Sequence, residues 1–386
     1  MSIRDEISIV GAFESPRRKE KDLHPFHILH EVVHDALADA GLTMTDVDGL
    51  CVTGGDTGEG GMLEDGIELA EYLGITPNYL ETTDIGGCSA ILQTAHAAAA
   101  IAAGLCDTVV VAYAACGRSY PFGPTTAMSW PCGPGSFEMP YGLSNISAYG
   151  LYAQHHMQRY GTTAEQLASI AVTVRGNAAT NPNALMRDPI EIQDVLASPL
   201  ISSPFHKLDC CVVTDSGGAV VLTRADRAKD LRRKPVSILG YGEYIGKAHL
   251  NQVPDFGISP GLYSGKLAFD RAGLRPADID VAQLYDAFTI TPLLALEDLG
   301  FCRKGEAGAF VQDGHIAPKG AIPINTDGGG LSSNHPGKRG IFVLIEALRQ
   351  LRGEGPGIQV PDCEVALAHG IGGFFSAAST MILANA

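Results

Sequence analysis

Hydrophobic and polar positions along the chain follow two alternating periods, which predicts a repeated series of strands and helices. Short apolar runs such as Ile7–Ala12 and Val236–Tyr241 have the length and β-branched content of buried strands. A longer stretch with apolar residues three or four apart, at Leu29, Val33, Leu37 and Ala40, indicates an amphipathic helix, and the Ala-rich Ser89–Ala103 indicates a buried one. This alternation is typical of an α/β protein whose mixed sheet carries helices on its faces.

The pattern of the first part of the chain returns in the second part. Ile7–Ala12 is followed by a helix ending in Ala-Gly-Leu, a turn, and Asp-x-Asp before a strand, and Val236–Tyr241 is followed by the same series. Further on, Thr83–Cys88 aligns with Thr326–Leu331, and each precedes an apolar helix and another buried strand. Four matching elements in one order predict two halves with the same fold.

The repeat divides the chain into an N-terminal half, residues 1–230, and a C-terminal half, residues 231–386. The first half carries a long extra segment at about residues 117–203, which is rich in Gly, Pro and Tyr. An insertion of this length is predicted to cover an active site rather than to act as a linker.

Composition narrows the class of protein. The 386 residues include 27 Lys and Arg against 43 Asp and Glu, a net charge of −16, which argues against binding nucleic acid or a membrane surface. No apolar run reaches the ~20 residues of a membrane span, and the charged N-terminus does not resemble a secretory signal. The nine cysteines contain no Cys-x-x-Cys pair and are expected to be reduced. We therefore expect a cytoplasmic protein.

A candidate nucleophile lies in the Gly-Gly-Cys-Ser sequence at 86–89. Ligands of α/β folds gather where strands end and helices begin, and Cys88 is predicted at such a point. The positive end of the helix dipole is expected to lower the pKa of its thiol and to favour the thiolate. The preceding glycines permit a tight turn and close approach of a substrate. The alternative is a small buried residue, but the position favours a nucleophile.

The equivalent turn of the second half, Gly328–Gly340, contains His335. We expect this histidine to face Cys88 across a pseudo-twofold axis and to act as its base, the alternative being a loop histidine with no role. His369, at the end of a later predicted strand, is a second candidate for the same pocket. A cysteine and two histidines from three strand ends predict acyl transfer through a thioester.

These features together resemble the thiolase superfamily. The resemblance rests on the duplicated halves, Gly-Gly-Cys-Ser at 86–89, Asn-His-Pro-Gly-Lys-Arg-Gly at 334–340 and His-Gly-Ile-Gly-Gly at 369–373. Tyr160–Ala184 and His206–Leu222 are similar to the sterol-carrier-protein-x or lipid-transfer-protein branch. The resemblance covers essentially the whole chain. It implies an α/β thiolase fold, with two duplicated mixed-sheet halves in five α-β-α-β-α layers, coenzyme A thioester substrates, and a homodimer or homotetramer.

The resemblance also implies roles for individual residues. Cys88 would take the acyl group, His335 would activate it, and the N–H groups of Cys88 and Gly372 would form an oxyanion hole. His369, similar to a histidine of archaeal thiolases, is the candidate base of the second step. Tyr285 would orient a thioester oxygen. No permanently bound cofactor and no metal is implied, because coenzyme A enters as substrate or product.

Three positions depart from the family pattern. Asn334 replaces the glycine of Gly-His-Pro, and Gly370 stands where many thiolases have a second catalytic cysteine. Tyr285 begins Tyr-Asp-Ala-Phe, a motif that usually begins with Asn or His. A tyrosine there resembles the thiolase-like aldolases of steroid side-chain degradation, which typically lack the cysteine that this chain keeps as Cys88.

Three functions follow from these observations. The leading prediction is a thiolase-like acyl-CoA acyltransferase of lipid metabolism, acting by thiolytic cleavage or Claisen condensation through an acyl-cysteine. The closest alternative is retro-aldol cleavage of a 3-hydroxyacyl-CoA, such as a steroid side-chain thioester, with Tyr285 or His335 as base. The third is a non-catalytic acyl-CoA-binding subunit, since members of this branch often pair with a small OB-fold and zinc-ribbon acyl-CoA-binding protein.

The remaining sequence features are a zinc-like motif, two basic clusters and several aromatic residues, and each has a structural interpretation. Residues 30–34 match the His-Glu-x-x-His zinc motif, but no third-ligand motif follows, and a polar helix face is the better interpretation. The basic clusters at 17–21 and 338–339 are expected to be solvated loops rather than coenzyme A phosphate sites. Candidate pocket walls, with ordinary core as the alternative, are Tyr113, Tyr141, Tyr149 and Phe374.

Overall fold

One continuous mixed sheet runs through the molecule in the computed structural model, which describes residues 6–53, 65–120 and 134–386. The strands are β1 Ile7–Glu14, β2 Gly49–Val52, β3 Tyr79–Glu81, β4 Thr108–Cys116, β5 Leu200–Ser202, β6 Phe205–His206, β7 Asp215–Arg224, β8 Val236–Ile245, β9 Val281–Leu284, β10 Val365–Gly372 and β11 Ala377–Asn385. The helices are α1 Pro25–Ala40, α2 Asp65–Leu73, α3 Ser89–Ala102, α4 Asn145–Tyr160, α5 Ala164–Ala178, α6 Ile192–Ala197, α7 Ala225–Ala228, α8 Gly261–Ala272, α9 Ile290–Asp298, α10 Ala307–Gln312 and α11 Gly340–Arg352.

The order of the strands confirms the duplicated halves. The sheet runs β3-β2-β4-β7-β1-β8-β11-β10-β9, while β5 and β6 form a separate hairpin. Read outward from the central β1–β8 contact, the two halves follow the same plan, with parallel pairs β2–β4 and β9–β10 and antiparallel pairs β4–β7 and β10–β11. Beyond β9, Ile324 forms a parallel bridge to Ala282, at the place where β3 flanks β2. The boundary between residues 230 and 231 stays a prediction.

Helices and sheet stack in the five layers that were predicted. Helices α3 and α11 lie between the two halves and contact strands of both, whereas α1 covers the outer face of the first half and α8 that of the second. Strand β4 has the required alternation, because Val109 and Val111 pack into the central layer while Val110 and Ala112 pack under α1.

Glycine ends the outer helix of each half, as the sequence predicts. Gly41 follows α1 at φ +77°, and Gly273 follows α8 at φ +68°, both left-handed conformations that glycine adopts without strain. The extra segment places α5 against the turn 329–333, just before His335. Residues 121–133 of that segment lie outside the described residues.

Two further sequence expectations concern cysteines and membrane spans. Eight cysteines are free thiols in the described part of the chain, and Cys132 lies outside it. Across the same described residues, no helix combines the length and the apolarity needed to span a bilayer.

Candidate active site

Cys88 lies at the N-terminus of α3, in a turn built by its neighbours. Gly86 has φ +84°, a conformation that disfavours any side chain, and its N–H donates to Asp84 Oδ1 at 2.8 Å. The Ser89 hydroxyl accepts from Ile85 N–H at 2.9 Å and donates to the Gly86 carbonyl oxygen at 2.7 Å. These bonds fix the cysteine as the first residue before the helix, where the sequence predicts it.

The environment of the Cys88 thiol differs from the prediction. The residue has 0% exposure, and burial raises the pKa of its thiol to about 12, although the nearby Ser379 hydroxyl acts in the opposite direction. The sulfur's hydrogen bond runs to the Ile85 carbonyl oxygen at 4.0 Å. The expectation of a lowered pKa was therefore wrong, because desolvation outweighs the helix dipole at this site.

The end of β10 packs backbone to backbone against the cysteine turn. A Cβ atom on Gly370 would lie 2.9 Å from Cys88 Cβ, and one on Gly372 would lie 3.3 Å from its Sγ. A Cβ on Gly86 would lie 2.8 Å from the Gly373 nitrogen. Only glycines permit this approach, which brings the backbone around Gly372 beside Cys88.

The turn that carries His335 meets the cysteine turn, as the pseudo-twofold axis predicts. Gly340 N–H donates to the Gly87 carbonyl oxygen at 2.8 Å. His335 Nε2 and the Tyr285 hydroxyl lie 3.0 Å apart, with the rings edge to face. The Tyr285 ring in turn lies against Gly87, where a Cβ would be 2.5 Å from its hydroxyl oxygen. Tyr285 thus contacts both the base candidate and the residue before Cys88.

Burial keeps this tyrosine–histidine pair neutral. Desolvation raises the pKa of Tyr285 well above its usual value. Desolvation, and then the positive charge of Arg339, lower the pKa of His335 to about 4. At neutral pH one ring nitrogen of His335 is therefore free to accept a proton.

A buried ion cluster lies next to Tyr285 and His335 in the chain, and the sequence analysis did not predict it. Arg339 donates to the two carboxylate oxygens of Asp327 at 2.8 and 2.7 Å, and its Nε lies 3.3 Å from Asp286. Asp286 follows Tyr285 directly and accepts N–H bonds from Gly330 and Leu331 at 2.7 and 3.1 Å. The sequence contains a signal for the two carboxylates of the cluster, because Asp286 and Asp327 are each a single charged residue among uncharged neighbours.

The departure at Asn334 has a structural explanation. Its amide nitrogen donates to Glu14 Oε1 at 3.0 Å and to the Ser216 hydroxyl at 3.1 Å. Its amide oxygen accepts from the Thr214 hydroxyl at 2.6 Å. The asparagine thereby ties the turn of the second half to strand β1 and the start of β7.

The prediction of solvated loops is wrong for four of the basic residues, whereas Lys19 and Lys21 are exposed as predicted. Arg339 is fully buried in the ion cluster, and Lys338 pairs with Asp84 at 2.7 Å. Arg18 pairs with Glu14 at 2.9 Å, and Arg17 pairs with Glu31 at 2.8 Å. Their guanidinium and ammonium groups are held by protein carboxylates.

His369 lies on the opposite face of β10 from Cys88. Its Nδ1 and the Thr380 hydroxyl of β11 are 2.9 Å apart, and Thr380 is in turn hydrogen bonded to Ser264 of α8. Gly261, also of α8, lies against the same ring. Because side chains alternate along a strand, Gly370 faces the cysteine and His369 faces outward. The prediction that His369 shares the pocket of Cys88 was wrong.

A cavity of about 470 Å³ adjoins the tyrosine–histidine pair. Its wall includes Tyr285, His335, Gly87 and Gly373. Cys88 and Gly372 are not among the lining residues, but they are the chain neighbours of Gly87 and Gly373. Aromatic and aliphatic side chains form much of the remaining wall: Tyr149, Ile371, Phe288, Phe374, Ala248 and Ala287. Two of the four suggested wall residues, Tyr149 and Phe374, are confirmed. The other two lie elsewhere: Tyr141 is 88% exposed, and Tyr113 is buried in the central core.

The histidine pair of the zinc-like motif lies on the solvent side of α1. The rings of His30 and His34 stack 6.3 Å apart, and His34 Nδ1 contacts Asp35 at 2.8 Å. Within residues 6–53, 65–120 and 134–386, no group of three or more metal-ligating side chains is close enough to hold an ion.

Comparisons with known proteins agree with this architecture. A family model described as "Thiolase C-terminal domain-like" matches residues 242–385. The chain is 37% identical over 90% of its length to the 17-hydroxy-3-oxo-4-pregnene-20-carboxyl-CoA lyase of Mycobacterium tuberculosis, covering 92% of that protein. It is 30% identical over 98% of its length to the acetyl-CoA acetyltransferase of Methanothermobacter thermautotrophicus, covering 100% of it.

A solved structure is similar over the whole chain. The Ltp2-ChsH2(DUF35) aldolase superposes with a TM-score of 0.90 at 31% sequence identity. The match covers 100% of this chain and 99% of that chain.

Proposed function

The chain belongs to the thiolase superfamily, in its sterol-carrier-protein-2 branch, and from this premise we propose that it cleaves 3-hydroxyacyl-CoA thioesters by a retro-aldol reaction. The prediction of a thiolase-like enzyme is confirmed by relatives that are an acetyltransferase and a lyase. The hydrogen bond between Tyr285 and His335 in the cavity wall is the observation that carries the choice of reaction.

The neutral pair supplies a path for one proton. The Tyr285 oxygen accepts the proton of the substrate's 3-hydroxyl while its own proton passes to His335 Nε2. The electron pair of the O–H bond forms the new carbonyl, the C2–C3 bond breaks, and its electrons form a thioester enolate. The proton returns along the same path to C2. The products are a ketone or aldehyde and a shortened acyl-CoA.

The enolate oxygen needs hydrogen-bond donors. We place it at the backbone N–H groups of Cys88 and Gly372, which the approach of β10 to the cysteine turn brings together. Preorganised donors of this kind typically contribute ~10²–10³-fold to a rate. In this scheme Cys88 acts through its backbone, and its buried neutral thiol has no covalent role.

Acyl transfer through Cys88 is the second candidate, and the place of the cysteine favours it. The thiol lies at the N-terminus of α3 beside Gly372, where an acyl-cysteine would reach the same oxyanion hole. This reaction requires the thiol to become exposed and to lose its proton, against a pKa of about 12. Tyr285 and His335, in contrast with the thiol, already line the cavity and need no such rearrangement.

One assay with two variants separates these candidates. The substrate is the 17-hydroxy steroid acyl-CoA from which the M. tuberculosis relative takes its name, and the released ketone is measured without added free coenzyme A. The retro-aldol proposal expects Tyr285→Phe to lower kcat by about 10²–10⁴-fold and Cys88→Ala to keep most activity. Ketone release that depends on Cys88, with a trapped acyl group in the mass spectrum, would instead establish acyl transfer.

The subunit arrangement, the compartment and the partner protein complete the proposal. We propose a homodimer or homotetramer in the cytoplasm that acts in lipid or steroid metabolism together with a small acyl-CoA-binding partner. The partner is supported by the superposing Ltp2-ChsH2(DUF35) aldolase, whose name joins two proteins, and the reducing compartment by the free thiols. The assay is therefore run with and without such a partner. Ketone release in neither condition would favour the non-catalytic subunit.

A further inference from the structure

Two tyrosines of the inserted segment hold the loop that follows β10. Tyr149 and Tyr152 lie three residues apart on α4, so both side chains project from one face of the helix, and both are buried. The Tyr149 hydroxyl donates to the Gly373 carbonyl oxygen at 2.5 Å. The Tyr152 hydroxyl donates to the next carbonyl oxygen, that of Phe374, at 3.2 Å.

The loop that they hold has a strained backbone. Gly373 has φ +57°, and Phe375 has φ +56°, a left-handed conformation that a bulky side chain rarely adopts. Such a conformation persists only where the surroundings enforce it. The Phe375 ring packs against both tyrosine rings, with centroids 5.1 Å from Tyr149 and 4.6 Å from Tyr152. The tyrosines therefore fix the ring and the two carbonyl groups before it.

The same loop determines the position of Gly372. Ser376 N–H donates to the Gly372 carbonyl oxygen at 2.8 Å and closes the turn. On its other side, the Gly372–Gly373 backbone lies against Gly86 and the cysteine turn. A rotation of the 373–374 peptide unit would be transmitted through the 372–373 unit, whose carbonyl oxygen Ser376 N–H holds, to the N–H of Gly372. Tyr149 also lines the cavity, so a substrate lies beside this support.

We propose that Tyr149 and Tyr152 are positioning residues that orient the Gly372 N–H toward the thioester oxygen. This inference rests on the oxyanion hole of the proposed function. The positioning role connects the inserted segment to the reaction, because both hydroxyl groups belong to its helix α4. Tyr149 makes the shorter bond to the nearer carbonyl and has the larger effect.

Phenylalanine variants isolate the two hydroxyl groups, because they keep the aromatic packing around Phe375. The probes are acetyl-CoA and S-ethyl-CoA, a thioether that lacks only the carbonyl oxygen, with Kd measured by calorimetry. Wild type is expected to bind acetyl-CoA about 5- to 10-fold more tightly than S-ethyl-CoA, a difference that one or two hydrogen bonds supply. Tyr149→Phe is expected to bring this ratio close to 1 without changing the Kd of S-ethyl-CoA. Tyr152→Phe is expected to lower the ratio by less.

The control is Tyr160→Phe, at the far end of the same helix, where the ring packs on His156. This variant should keep the wild-type ratio. An unchanged ratio in Tyr149→Phe, or an equal weakening of both ligands, would overturn the positioning role. A wild-type ratio of 1 would instead reject the oxyanion hole on which the proposed function rests. If Tyr149→Phe melts below the assay temperature, the same criteria apply to Tyr152→Phe.

Discussion

Burial determines the protonation state of the groups around the cavity. Tyr285, His335 and Cys88 all have pKa values shifted toward their neutral forms, because each lies where a charge would lose its hydration. A neutral tyrosine hydrogen bonded to a neutral histidine can pass a proton without creating an isolated charge on the tyrosine. A neutral thiol, in contrast, is a weak nucleophile.

The proton path predicts an unusual pH profile. Protonated His335 cannot accept the proton of Tyr285, so activity is lost only as pH falls through the pKa of about 4. We expect kcat/KM for ketone release to be level between about pH 5.5 and 8, with no step near the ordinary histidine pKa of ~6.5. The measurement is a pH–rate profile with circular dichroism recorded at each pH. Burial raises the pKa of the neighbouring Asp286 to about 6, so the profile is also recorded for Asp286→Asn. A step near pH 6.5 that persists in folded Asp286→Asn would show that His335 titrates normally and would contradict the proton path.

His369 provides a test in which stability and not activity changes. Burial lowers its pKa to about 4, and its Nε2 has no hydrogen-bond partner among the described residues. The unfolded state therefore takes up a proton first, and the free energy of unfolding falls as pH decreases from 6.5 to 4. At pH 4.5 this single group accounts for roughly 2–3 kcal/mol of that loss.

Substitution of His369 removes this contribution. We expect His369→Gln to show a weaker decline of stability between pH 7.5 and 4.5 in urea unfolding, and to keep ketone release within about twofold of wild type. His335 is present in wild type and in His369→Gln, so the effect of its titration on stability cancels when the two proteins are compared. A large loss of activity would return His369 to the active site.

The sequence predicted some of these residues and not their environments. Cys88 and His335 could be selected from their positions in the repeat, because equivalent turns of two duplicated halves face each other across the pseudo-twofold axis. The thiol's raised pKa depends on the layers that cover it, which no local pattern describes. The outward direction of His369 follows from strand alternation once Gly370 is known to face Cys88. Arg339 was misread because its two carboxylate partners are 12 and 53 positions away.

At the scale of elements, the approach of β10 to the start of α3 requires glycine. A Cβ on Gly372 would overlap the Ile85 carbonyl oxygen and lie 3.3 Å from Cys88 Sγ. The helix and strand ends would have to move apart, and the two oxyanion donors would move with them. The repeated Gly-Gly sequences were visible in the chain, but their partners across the contact were not.

Two glycine-to-alanine variants test this contact. Gly372→Ala is expected to destabilise the protein by about 1–3 kcal/mol, as overpacking does, and to abolish ketone release. Gly176→Ala is the control, because Gly176 lies inside α5 with no described atom within 4 Å of an added Cβ. Alanine there should stabilise the protein by about 0.5–1 kcal/mol. Thermal melting checks both, and equal behaviour of the two variants would contradict the close approach.

At the scale of the molecule, buried ion pairs join the two halves around the central layer. Glu14 of β1 accepts from Arg349 of α11 at 2.7 Å and from Asn334 at 3.0 Å, and it pairs with Arg18 at 2.9 Å. Burial alone would raise the pKa of Glu14, but Arg349 and Arg18 lower it to about 2. Its contribution to stability is therefore present above about pH 4.5 and is lost as pH falls toward 2.

The ion pairs and the shared helix layer predict that the halves unfold together. Glu14→Gln keeps the shape of the side chain but leaves two arginines short of a carboxylate, which should cost about 3–5 kcal/mol. Because α3 and α11 contact strands of both halves, the loss is expected to lower the midpoint of one transition. Circular dichroism and tyrosine fluorescence followed in urea should therefore coincide. Glu68→Gln, at an exposed position of α2, is the control and should stay within about 0.5 kcal/mol of wild type. Separate transitions for the two probes would mean that each half is an independent folding unit and that the pairs across β1 only orient the site.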